Sequence, residues 1–90
     1  MNEVFEALAH PIRREILKLL RKRAMSAGDL AEHFTIAKPT LSGHFTVLKN
    51  ADLVTTERQG TTIIYRLNMS VMEEALGAFM ALAGAKGKER

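Results

Sequence analysis

A change of hydrophobic period is the feature that most constrains this chain. From Val4 to Leu48 apolar residues recur every three or four positions. From Leu53 to Leu67 they alternate, and from Val71 onward the helical spacing returns. A period near 3.6 buries one stripe of a helix, whereas a period of 2 buries one face of a strand. The order is therefore helices, a hairpin and a last helix. That is an α+β fold, mostly α, of about five helices plus a two-stranded β-hairpin.

Two prolines and several caps set the boundaries. Asn2 to Ala9 is a first short helix with Val4, Phe5 and Leu8 on one stripe. Pro11 ends it, because the residue before a proline is pushed out of the α region. The same proline suits the first turn of a second helix reaching about Arg23. Ile12, Ile16, Leu17, Leu19 and Leu20 form its core stripe. Arg13, Arg14, Lys18 and the run Arg21-Lys22-Arg23 read as mainly solvated surface, the run also suiting the negative end of the helix dipole. Ser26 reads as the N-cap of a short third helix, with Asp29 a near-match to a capping box. Thr35 to Ala37 form a turn. A fourth helix runs from about Lys38 to Asn50 with Leu41, Phe45 and Leu48 toward the core. The strands are Leu53–Arg58 and Thr61–Leu67, joined by Gln59-Gly60. Asn68 or Ser70 caps the last helix, Val71–Ala83.

Ninety residues make one domain. It is read as residues 1–84, followed by a flexible polar tail, 85–90. A domain this small buries only about 60–65% of its unfolded surface. With no cysteine, disulfides and thiolate metal sites are excluded. Pairing with a second copy is the remaining support. The stripes on segments 1–9 and 70–84 supply a two-fold surface: Val4, Phe5 and Leu8 with Met72, Leu76, Phe79, Met80 and Ala83. The N-terminal segment lacks the pattern of a signal peptide. No apolar run reaches the roughly 18–20 residues that span a bilayer. A cytoplasmic protein without membrane insertion is expected.

The formal net charge is +3, and its distribution matters more than its size. No Asp or Glu occurs between Glu32 and Asp52, while Lys38 and Lys49 lie in that window. A carboxylate-free stretch is what a phosphate-facing surface needs. Residues 26–50 have the helix, short turn, helix spacing of a helix-turn-helix, and the hairpin at 53–67 makes it winged. In such a module the second helix enters the major groove of double-stranded DNA, and the hairpin tip reaches the backbone or the minor groove. The hydroxyls of Thr40, Ser42 and Thr46 suit phosphates or base edges, and Lys38, Lys49 and Arg58 suit phosphates.

The strings ALAHPIRREILKLL, SAGDLAEHF and KPTLSGHFTVLKNADLVTTERQGTTIIYRL resemble ArsR-type winged-helix repressors over roughly Val4 to Leu67. VFEALAHPIRREIL and KPTLSGH resemble the SdpR-like branch of that family. The resemblance implies a homodimeric repressor on a palindromic operator, often that of its own operon, paired through its first and last helices. It implies DNA contacts from Lys38, Thr40, Ser42, Gly43, His44 and Thr46 on the fourth helix, and from Arg58 and Gln59 on the wing. Pro39, Lys49 and Thr61 complete the candidate set. The chain departs from metal-sensing relatives, whose cysteine box would fall around Ser26 to Leu30. In its last helix Glu73 and Glu74 are the only potential ligands. No metal or cofactor is expected. At position 43 many relatives carry a larger polar residue, where this chain has glycine.

Enzyme chemistry finds no constellation. Ser42 and His44 stand two apart on one helix and do not face each other; adjacent Glu73 and Glu74 diverge likewise. His10, His33 and His44 lie on separate elements, short of the three or four ligands that zinc takes. Two other readings remain open at this point. One is a winged-helix protein-interaction module, which a glutamate-rich fourth helix would have favoured. The other is a small-molecule-responsive regulator with a pocket at the dimer interface. An inducing ligand or a regulatory partner is not legible in the sequence.

Overall fold

Pro11 divides the N-terminal helical segment as its backbone chemistry requires, giving α1 (Asn2–Leu8) and α2 (Pro11–Lys22). His10 between them is extended, and its Nδ1 accepts the Ile12 N–H at 3.1 Å, capping α2. The structure, a computed structural model, describes residues 1–84. The tail read as flexible, 85–90, lies outside the described residues. After α2 come β1 (Met25–Ser26), α3 (Ala27–Ala31), α4 (Lys38–Asn50), β2 (Val54–Gln59), β3 (Thr62–Leu67) and α5 (Met69–Leu82).

Ser26 caps α3 as its sequence position suggests, its Oγ accepting the Asp29 N–H at 3.0 Å. The α-helix stops at Ala31, but the coil tightens before it ends. His33 N–H and Phe34 N–H donate to the carbonyls three residues back, Leu30 and Ala31. The turn therefore begins earlier than the expected Thr35–Ala37, at Glu32 and His33, and the chain bends again at Ile36 before α4. Pro39 occupies the first turn of α4, where a missing N–H costs nothing.

The core is one cluster. Ile16, Leu17 and Leu20 of α2 meet Leu30 of α3 and Leu41, Phe45 and Leu48 of α4, with Leu53 and Val54 at the start of the wing. Ile16, Leu30, Leu48 and Leu53 are fully enclosed. Burying each such side chain contributes about 2 kcal/mol.

The hairpin is accompanied by a third strand. The sheet is antiparallel in the order β1-β3-β2, with Met25 opposite Tyr65 and Ser26 opposite Ile64. A two-residue strand is too short to display alternation, so the two-stranded reading missed it. The turn also lies one residue later than expected. Gln59 pairs with Thr62 as the last rung, and the two-residue turn is Gly60-Thr61. Gly60 has φ +66 while Thr61 does not take a positive φ, the pattern of a type II′ turn with glycine first.

The junction from α4 to the wing is the tightest backbone device in the fold. The Leu53 N–H donates to the Leu48 carbonyl at 3.0 Å, and the Asp52 N–H donates to Lys49 at 2.9 Å. These are the two bonds of a Schellman stop, and Leu48 and Leu53 at its two ends are both fully enclosed in the core. The stop needs a left-handed residue after the C-cap, and Asp52 supplies it at φ 59. Aspartate tolerates that conformation better than most side chains, and a β-branched one tolerates it least. Asp52→Val should therefore cost about 1–2 kcal/mol, read as a lower urea midpoint, whereas Asp52→Gly should unfold at or above the wild-type midpoint.

Candidate nucleic-acid interface

The rotation of α4 is set by its apolar stripe. With Leu41, Phe45 and Leu48 buried, helical geometry turns Pro39, Thr40, Gly43 and Thr46 outward, with Lys38, Ser42 and Lys49 along one flank. All seven are exposed. The outward surface is thus small and hydroxyl-bearing, with no acidic side chain on the helix. A Cβ added at Gly43 would meet nothing within 4 Å, so the protein's own packing does not require glycine there. Thr46 spends its hydroxyl proton within the helix, donating to the Ser42 carbonyl at 3.2 Å. It therefore faces outward as an acceptor.

His44 behaves differently from its neighbours. It is half-buried on the flank toward α1 and α2, and its ring lies 4.4 Å from that of His10. Arg13 Nη1 donates to its Nδ1 at 3.1 Å. The same guanidinium donates through Nε to the Ala7 carbonyl at 2.9 Å and through Nη2 to the Glu6 carbonyl at 3.0 Å. Arg14 donates to the Leu8 carbonyl at 2.8 Å. Two arginines read as solvated surface thus satisfy the open carbonyls at the C-terminus of α1. The signal was present: cations two or three residues into a helix that follows another after a short break can reach back to the preceding helix's negative end. The structure also brings together two histidines that the sequence placed on separate elements. Among the described residues no group of three His, Cys, Asp or Glu side chains converges.

On the wing, Arg58, Gln59 and Thr61 are all exposed beside the Gly60 turn. Glu57 stands next to Arg58 in sequence, but its carboxylate accepts from Arg66 across the hairpin at 3.0 Å, which occupies that negative charge. A second carboxylate comes close only through folding. Glu32 lines a groove of about 580 Å³ between α3 and α4 that Lys38 and Ser42 also line.

The candidate pairing surface divides. Val4 is only 6% exposed and lies in the monomer's own core, so it is not surface. Its spacing matched the stripe, but helix α1 is short enough to bury one side of that stripe against α2 and α4. Phe5 and Leu8 are partly buried and border an apolar groove of about 480 Å³ between α1 and α5. Met72, Leu76 and Phe79 form its other wall. Leu76 and Phe79 are each 61% exposed and Leu82 is 81% exposed, with Met80 and Ala83 also open.

The profile of the family described as "bacterial regulatory protein, arsR family" matches residues 10–56, just over half of the chain. The chain belongs to the ArsR family. The transcriptional repressor SdpR of Bacillus subtilis is 46% identical over 76 residues, covering 84% of each chain. The arsenical resistance operon repressor of Staphylococcus xylosus is 38% identical over 73 residues, covering 81% of this chain and 70% of the relative. Among solved structures, an ArsR family transcriptional regulator superposes with a TM-score of 0.85 at 27% identity, covering 99% of this chain and 97% of the other. The chain is therefore a DNA-binding transcriptional regulator, and its α4 presents an exposed hydroxyl-bearing face beside the wing. Among the described residues no helix is long and apolar enough to cross a membrane.

Burial, then the His10 ring and then the Arg13 guanidinium, hold His44 below the ordinary imidazole range. Unfolding returns the ring to its usual value near 6.5. Below that pH the unfolded chain takes up the proton more readily than the folded one, so stability falls with it. The urea midpoint should be level from pH 8 to 7 and should drop between pH 6.5 and 5.5. In His44→Asn that drop should be smaller.

Proposed function

We propose that this ArsR-family chain is a homodimeric repressor in the cytoplasm that binds a palindromic operator, that of its own operon among its targets. We further infer that it is a regulator rather than an enzyme, and that its signal is something other than a thiolate-bound metal. The single observation that carries the DNA side is the outward face of α4. It is exposed, small, hydroxyl-bearing, free of acidic side chains and flanked by Lys38 and Lys49. A face without bulk lets the helix sit deep in a major groove, and the lysines neutralise phosphates along its edge. Arg58 on the wing adds a cation at a projecting hairpin.

The pairing side is supported by the α1–α5 groove. A monomer rarely leaves so much contiguous apolar surface open, and a two-fold pair covers it with a copy of itself. The pair would place its two α4 helices in successive major grooves about 34 Å apart. Repression is supported by the names of the relatives, SdpR and the arsenical resistance operon repressor. The absence of cysteine supports a signal other than a thiolate-held metal.

A small-molecule signal is the one second reading with an observation behind it, the apolar volume between α1 and α5. A screen in which apolar compounds raise the melting temperature and weaken DNA binding would favour it.

Selection of bound duplexes from a random pool tests the main reading, with enrichment of a palindrome as the expected outcome. Affinity for the selected duplex should fall on the order of 10³-fold between 50 and 200 mM salt if about six phosphates are neutralised. Ser42→Glu with Thr46→Glu should leave the melting temperature nearly unchanged, since both positions are exposed, and should abolish binding. Survival of binding would mean that another face meets DNA. Leu76→Asp with Phe79→Asp should convert a sedimenting dimer to a monomer, and an unchanged sedimentation coefficient would place the interface elsewhere.

A further inference from the structure

Arg13 touches two surfaces that the function keeps apart. Through Nε and Nη2 it holds the Ala7 and Glu6 carbonyls at the end of α1, the helix whose other side borders the pairing groove. Through Nη1 it holds His44 of α4. We propose that Arg13 is a positioning residue for DNA binding: one guanidinium, joined to His44 in its Nε2-protonated neutral form, fixes the DNA-facing helix against the helix that sets subunit pairing. The inference rests on the dimeric DNA-binding reading above and adds how the two surfaces are held in register.

The tautomer follows from the donors. A guanidinium has only N–H groups, so His44 Nδ1 must accept and must carry no proton. The ring's single proton is on Nε2. His10 is constrained in the same way, because its Nδ1 accepts the Ile12 N–H at the cap of α2. Two rings 4.4 Å apart thus both use a bare Nδ1 in the folded arrangement. A second proton on His44 would abolish the Arg13 bond and set like charges side by side. The other charged groups nearby do not relieve this. The α1 carboxylates Glu3 and Glu6 are exposed, and Arg13 takes the Glu6 carbonyl rather than its side chain. On α4 itself, Lys38 and Lys49 lie at helical positions away from His44.

The link makes a signed prediction that a structural contact alone does not. At most DNA interfaces a protonated histidine adds a cation and strengthens binding. Here acidification breaks the tie that aims α4, so affinity falls. The test is titration of the pool-selected duplex with wild type, Arg13→Gln and His44→Asn at pH 7.5 and 5.8, with chemical denaturation of each protein and ¹⁵N spectra of its histidines. Wild type should lose a few-fold in affinity at the lower pH, at most about fivefold, because a ring held below its ordinary value near 6.5 is only partly protonated there. Arg13→Gln should lose about tenfold at pH 7.5, the scale of one charge-assisted hydrogen bond, and then gain on acidification. His44→Asn, whose side-chain oxygen replaces the Nδ1 acceptor but cannot take up a proton, should lose the pH response whatever its affinity at pH 7.5. The spectra should show His44 protonated at Nε2.

A folded Arg13→Gln with wild-type affinity and pH response overturns the inference. So does a neutral His44 protonated at Nδ1, or a wild type that binds more tightly at pH 5.8. Should Arg13→Gln fail to fold, His44→Asn decides, and retention of the full wild-type pH loss overturns it. A wild type that binds no duplex instead overturns the function above and the positioning role with it. Binding by wild type with indifferent variants overturns this inference alone.

Discussion

The burial of Leu41, Phe45 and Leu48 fixes the rotation of α4, and almost every functional statement about the chain follows from that rotation. A helix has two sides, and enclosing one with apolar contacts worth about 2 kcal/mol per side chain leaves no freedom for the other. Thr40, Gly43 and Thr46 face outward because their neighbours cannot. Turning the helix by a third would expose Phe45 and bury hydroxyls without partners, a double penalty. The exposed hydroxyl-bearing surface is in this sense a by-product of core packing.

Helix ends carry the second layer of organisation. A seven-residue α1 cannot persist by its own hydrogen bonds. It is held by Val4 and Ala7 in the core and by Arg13 and Arg14 on its last carbonyls. The far end of α4 is closed by the Schellman bonds around Asp52, which also aim the first wing strand. Leu53 then accepts the Asn68 N–H at 2.9 Å, joining the start of the wing to the start of α5. Cap chemistry thus passes orientation from α4 to the helix that carries the exposed apolar face.

That apolar face and the basic, hydroxyl-bearing one belong to different elements but share a small body. The thin core leaves Leu76, Phe79 and Leu82 uncovered because one short domain has nothing left to lay over them. Surface that a larger protein would cover from within stays open on this chain, which is the ground for the proposed pairing. The polar face needs no cover, because small hydroxyl residues keep their water cheaply.

Local chemistry was enough to read much of this from the residues. Pro11, Ser26 and Pro39 marked helix starts because caps and prolines act on their own backbone. The bounds of α4 followed from Pro39 and from the apolar spacing through Leu48. The change of period at Leu53 announced the hairpin, since alternation reports a pleat without knowledge of its partner. The exposure of Lys38, Thr40, Ser42 and Thr46 followed from the same arithmetic. What depends on distance in space was not legible. The strand Met25–Ser26 exists only because β3 lies beside it. Val4 left the pairing stripe because α1 tucks one side against α2 and α4. Arg13, His10 and His44 are separated by up to 34 positions and meet only through the elbow between α1 and α2. Sequence periodicity decides which way a side chain faces relative to its own helix axis; only packing of one element on another decides what it meets there.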